Sequence, residues 1–64
     1  MIKVNGETID IDQLLLKDFL SQHGYAPQHI AVEINGEIVP KSQYETKLLM
    51  SGDTLEIVRF VGGG

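Results

Sequence analysis

Hydrophobic and polar positions change period several times along this chain, and each change marks an element. Met1–Asn5 alternates, with Ile2 and Val4 on one side and Lys3 on the other, the period of a half-buried strand. Asn5-Gly6 follows, a pair that tolerates the positive φ angles of a tight hairpin. Thr8–Ile11 is predicted to return as a second strand with Ile9 and Ile11 inward. Asp12 is then expected to cap a helix over Gln13–His23, closed by Gly24. Within it Leu16, Phe19, Leu20 and His23 fall at i, i+3, i+4 and i+7, one helix face. Tyr25–His29 contains Pro27 and reads as a connector. Ile30–Ile34 alternates again, Asn35-Gly36 repeats the turn signal, and Glu37–Val39 is a short partner strand stopped by Pro40. One helical turn is expected near Ser42–Tyr44, with Leu48 and Leu49 packing down after it. Ser51-Gly52-Asp53 is a turn, and Thr54–Val61 is the clearest strand of the chain.

The predicted order is strand, strand, helix, strand, short strand, strand. A single helix can cover only one face of one sheet. The economical arrangement is an α+β fold with a mixed sheet of four to five strands and the helix across one face. The first and last strands lie parallel at its centre, joined through the intervening chain. That is the β-grasp architecture. Residues 1–61 form the single domain, and 62–64 are expected to be a flexible glycine tail.

Composition narrows the function. The chain has 64 residues, no cysteine and a net charge of −4. Without thiols it has no disulfide and cannot act as its own persulfide carrier. The five Lys and Arg residues are scattered, and phosphate binding calls for a basic stripe, so a nucleic-acid partner is not expected. An acidic chain more naturally meets a basic protein. Leu14-Leu15-Leu16 is as long as any uninterrupted apolar run and far short of a membrane span. The opening MIKVNGE enters a strand pattern at once, so a signal peptide is not expected. A cytoplasmic location is expected.

The domain itself holds little chemistry. His23 and His29 have no further ligand at metal spacing, and His23 suits the negative end of the helix dipole. Ser21, Ser42 and Ser51 lack a nucleophile elbow. Asp10, Asp12 and Asp18 are more often caps and solvated faces than an acid–base pair. Gly6, Gly24, Gly36 and Gly52 are isolated turn glycines, which do not make a phosphate loop. A self-contained enzyme is therefore not expected, nor a cofactor bound by this chain.

The unusual feature is Gly62-Gly63-Gly64, following directly on an apolar strand. Frayed termini also end in glycine. Leaving the central strand of such a sheet, however, three glycines make a thin extended arm. Without Cβ atoms it can thread a narrow channel in a partner's active site, and its reactive group is the Gly64 carboxylate. In Thr54–Val61, Leu55 and Ile57 should face the helix, while Glu56, Val58 and Phe60 should lie on the open sheet face. An exposed Val58–Phe60 pair leading to the tail makes an apolar patch for partners.

The segment Gly52-Asp53-Thr54-Leu55-Glu56-Ile57-Val58-Arg59-Phe60-Val61-Gly62-Gly63-Gly64 resembles the C-terminal signature of the thiamin-biosynthesis sulfur carriers, the ThiS family. Ile34-Asn35-Gly36-Glu37-Ile38-Val39-Pro40 resembles the family's middle hairpin. Val4-Asn5-Gly6-Glu7 and the helix ending at Gly24 fit as well, so the likeness covers the whole chain. His23 departs from the aliphatic residue more usual there.

The resemblance implies a ubiquitin-like fold and a definite chemistry. An adenylyltransferase of the ubiquitin-activating type, using ATP and Mg²⁺, converts the Gly64 carboxylate to an acyl adenylate. Persulfide sulfur from a cysteine desulfurase or its relay displaces AMP and leaves a thiocarboxylate, which thiazole synthase consumes to build the thiazole ring. The chain is then a recharged co-substrate. Gly62, Gly63, Val61, Phe60, Arg59 and Val58 form the expected partner-binding set, with Arg59 able to meet an acidic group. A carrier for molybdopterin or another sulfur-containing product uses the same tail. A ubiquitin-like modifier and a binding module with an incidental tail are the further alternatives.

Overall fold

The structure is a computed structural model and describes residues 1–61. Strands β1 (Ile2–Val4) and β2 (Glu7–Ile9) form the opening hairpin. Strand β3 (Gln13–Leu15) leads straight into helix α1 (Leu16–Gln22). Strands β4 (Ile30–Ile34) and β5 (Glu37–Ile38) form the second hairpin, and β6 (Leu48–Met50) and β7 (Thr54–Arg59) complete the chain. Single 3₁₀ turns occupy Pro27–His29 and Lys41–Gln43.

The main sheet has five strands in the order β2-β1-β7-β4-β5. The β1 and β7 strands are parallel neighbours, as the β-grasp expectation requires, and the other pairs are antiparallel. Period-2 alternation puts Ile2, Val4, Ile30, Val32, Ile34, Leu55 and Ile57 on one face, where they meet Leu16, Phe19 and Leu20 of α1 in one core. Both Asn-Gly turns take the expected form. Asn5 and Gly6 have φ of 51° and 85°, and Asn35 and Gly36 have 53° and 85°, the left-handed conformation that tightly joined strands need.

The structure corrects the sequence reading at the helix start. Asp12 is not an N-cap, and Gln13–Leu15 is not helical. These residues pair antiparallel with Leu48–Met50 as a separate two-stranded ribbon, Leu14 opposite Leu49. The cause is tertiary. Leu49, the register partner of Leu14, is fully buried, and a three-leucine run fits either period until a partner strand selects one. The helix starts where the Leu16 N–H, without an intrahelical acceptor, donates to the Lys47 carbonyl at 2.8 Å. Its first turn has no side-chain cap.

Other boundaries shift by one or two residues. The second strand covers Glu7–Ile9, and Ile11 lies beyond it, partly buried against the core with Ile9. The last strand ends at Arg59 rather than Val61. His23 is the exposed residue capping the helix end, outside the buried face, with its ring stacked 4.2 Å from that of Phe19. Among the described residues, no helix is long and apolar enough to cross a membrane.

Candidate functional site: the free end of the central strand

β7 runs down the centre of the sheet, and of the described residues only Phe60 and Val61 follow it. Three layers of bonding fix its path. On one side its backbone pairs with β4 over Ile30–Arg59 to Ile34–Leu55. Past the formal end of the strand, the Phe60 N–H still donates to the His29 carbonyl at 2.9 Å. On the other side β1 pairs with it only at Lys3–Thr54 and Val4–Leu55.

Beyond that short ladder Asn5 takes over. Its Oδ1 accepts the Ile57 N–H at 2.8 Å and its Nδ2 donates to the Ile57 carbonyl at 3.1 Å. The side-chain amide thus stands in for one more peptide of β1. The second turn asparagine acts on the start of the same strand. Asn35 Oδ1 accepts the Thr54 N–H at 3.0 Å, and Nδ2 donates to Asp53 Oδ1 at 3.0 Å. Sequence reasoning assigned both asparagines to turn chemistry alone and missed these clamps. The available signal was the choice of Asn, with a donor and an acceptor, at both turns.

The expected site residues divide by environment. Leu55 and Ile57 are buried toward the helix, while Glu56 and Val58 point to the open face. Val58 is 60% exposed and lies in register with exposed Ala31. Phe60 is 39% exposed, with the Lys41 ammonium 5.3 Å from its ring centre. Val61 is 98% exposed. Arg59 lays its guanidinium over the Tyr25 ring at 4.4 Å, which ties the strand end to the segment after the helix. Gly62, Gly63 and Gly64 lie outside the described residues.

The open face also carries features not singled out from sequence. Ile38, 75% exposed, pairs with Glu33, and Glu33 lies directly opposite Glu56. Like charges facing each other across strands repel. The one ion pair among the described residues joins the Met1 amino group to Asp12 and involves neither glutamate. The face therefore offers apolar area, from Val58 and Ile38, beside two carboxylates that are in no ion pair among the described residues. Among the described residues, no three His, Cys, Asp or Glu side chains gather at metal-binding distance.

Comparison with known proteins places this arrangement. The ThiS family model matches residues 2–64. The chain belongs to the ThiS family. It is 35% identical to the sulfur carrier protein ThiS of Bacillus subtilis (strain 168), over the full length of both chains. Its fold matches the crystal structure of the thiamine biosynthesis protein ThiS from Geobacter metallireducens with a TM-score of 0.79. Identity there is 31%, over 98% of this chain and 97% of that one. It is also 42% identical to a thiazole synthase of Paramagnetospirillum magneticum (strain ATCC 700264 / AMB-1), over 95% of its own length and 19% of the synthase. A thiazole synthase of Magnetococcus marinus (strain ATCC BAA-1437 / JCM 17883 / MC-1) gives 36% over 98% and 20%. The chain thus spans about a fifth of the length of those two synthases. The β-grasp fold and the family resemblance read from the sequence both hold.

Proposed function

We propose that this protein is a sulfur carrier of thiamin biosynthesis, a co-substrate of partner enzymes without catalysis of its own. The observation that carries the proposal is a central strand whose C-terminal end emerges exposed, in a chain of the ThiS family.

The proposed chemistry lies at Gly64. A carboxylate is a poor acyl donor, because its charge repels nucleophiles and oxide is a poor leaving group. An adenylyltransferase of the ubiquitin-activating type transfers AMP from ATP, with Mg²⁺, to the Gly64 carboxylate and releases pyrophosphate. A persulfide from a cysteine desulfurase or its relay attacks the carbonyl carbon, and AMP leaves. Reduction of the resulting acyl disulfide by a thiol frees the thiocarboxylate. Its sulfur is the softer nucleophile and passes to thiazole synthase. Gly62 and Gly63 serve as the side-chain-free arm. Val58, Phe60 and Val61 supply apolar contact, with Arg59 at the same end. The facing Glu33 and Glu56 favour a basic residue on the partner. The setting is the cytoplasm.

Intact mass spectrometry tests this reading. After incubation with adenylyltransferase, ATP and a persulfide source, the chain should gain the mass of sulfur in place of oxygen at its C-terminus. An unchanged mass, under conditions that charge the Bacillus subtilis carrier, refutes it.

A further inference from the structure

We infer that Asn5 and Asn35 are sites of spontaneous deamidation, held unreactive by the same hydrogen bonds that clamp β7. Both precede glycine, the residue whose bare backbone nitrogen best reaches the asparagine side chain. The reaction needs no enzyme or oxidant. The nitrogen of Gly6 or Gly36 attacks Cγ of the preceding asparagine, ammonia leaves, and a five-membered succinimide forms. Water then opens the ring to aspartate or isoaspartate. Both asparagines are exposed, so water has access.

The folded geometry opposes the first step. Attack requires the side-chain amide to swing onto its own chain. At both positions Oδ1 and Nδ2 are held elsewhere, on Ile57 for Asn5 and on Thr54 and Asp53 for Asn35. Each clamp must open before Cγ is free, so the rate follows the population of opened molecules.

The product is also worse placed than the reactant. At residue 5 an aspartate loses the amide donor and sets a carboxylate against the Ile57 carbonyl. At residue 35 it faces the Asp53 carboxylate across what is now a 3.0 Å hydrogen bond. Either change loosens one flank of the strand that leads to the tail. Deamidation therefore eases further opening, and the carrier ages from β7 outward.

The test is peptide mapping after incubation at mildly alkaline pH, comparing the folded protein with the urea-unfolded chain. The folded protein should convert at each asparagine at least about tenfold more slowly. Leu49→Ala, which weakens the fold without touching either turn, should convert faster than the parent in the same urea-free buffer. Equal rates for folded and unfolded chain at both sites overturn the proposal. So does Leu49→Ala ageing at the parent rate. The consequence is read from Asn35→Asp, which should melt below the parent by a margin that shrinks with added salt, since salt screens the new repulsion. An unchanged melting temperature overturns that part. If Asn35→Asp does not fold, the conversion rates alone decide.

Discussion

The Asn5 side chain occupies both backbone hydrogen-bonding groups of Ile57, accepting its N–H at 2.8 Å and donating to its carbonyl at 3.1 Å. Fifty-two positions separate the two residues in sequence. The contact joins the first turn of the chain to the middle of the last strand, and it prolongs a parallel ladder that β1 supports over only two residue pairs.

Replacing Asn5 with glycine isolates this clamp, because glycine keeps the left-handed turn and removes only the amide. Loss of both bonds leaves the Ile57 backbone groups without partners on that side. Asn5→Gly should lower stability by about 1–3 kcal/mol in urea unfolding. A change indistinguishable from zero means the clamp contributes nothing.

Leu49 tests the ribbon that replaced the expected first helical turn. Its side chain is fully buried opposite Leu14. Truncation in Leu49→Ala removes apolar contact and leaves a cavity, so the loss should be about 2–5 kcal/mol. A loss under about 1 kcal/mol, the range of surface positions, would place the ribbon outside the cooperative core.

Tyr44 gives the protein an alkaline limit. Burial pushes its hydroxyl above the ordinary tyrosine value of 10.0, against a smaller opposing effect of the Val32 backbone, and the hydroxyl donates to the Ile30 carbonyl at 3.5 Å. Below pH 10 the ring is neutral in both folded and unfolded chains, and its burial is fully tolerated. Above that value the unfolded chain ionises first, so stability falls until the folded-state value is passed, by at most about 1.4 kcal/mol per pH unit. Thermal melts across this range should show a shallower decline for Tyr44→Phe than for the parent. Parallel declines would assign the alkaline loss to other groups.

Phe60 lies beyond the last strand residue and is partly exposed, so Phe60→Ala should fold normally by circular dichroism. As an apolar docking contact it should raise the KM for the carrier in adenylation roughly tenfold, with kcat little changed. An unchanged KM removes Phe60 from the docking surface.

Deleting Gly63 and Gly64 separates a carrier from a binding module. Adenylation and thiocarboxylate formation should vanish, while the melting temperature stays within about one degree, since the hydrophobic core is built from residues between Ile2 and Ile57. Retained adenylation would move the reactive group away from Gly64.

Much of this molecule is legible without coordinates. Alternation at Ile2–Val4, Ile30–Ile34 and Leu55–Ile57 marks the strands and their buried faces, because a sheet with one covered face imposes period 2 on the chain. Two Asn-Gly pairs fix both hairpins through local backbone preference, with no help from the rest of the fold. Leu16, Phe19 and Leu20 likewise announce the helix face. The glycine tail and its flanking strand point to the family from sequence alone.

What the tertiary structure decided depends on pairs distant in sequence. Leu14 and Leu15 are extended because Leu48–Met50 offers them a ladder, and neither segment carries that fact locally. Arg59 is laid along Tyr25, and Glu33 is set against Glu56, by strand register and chain path rather than by neighbouring residues. The two asparagines show the division most clearly. Their φ angles follow from local sterics, which the sequence encodes. Their amides grip β7 only because folding brings the last strand between the two turns.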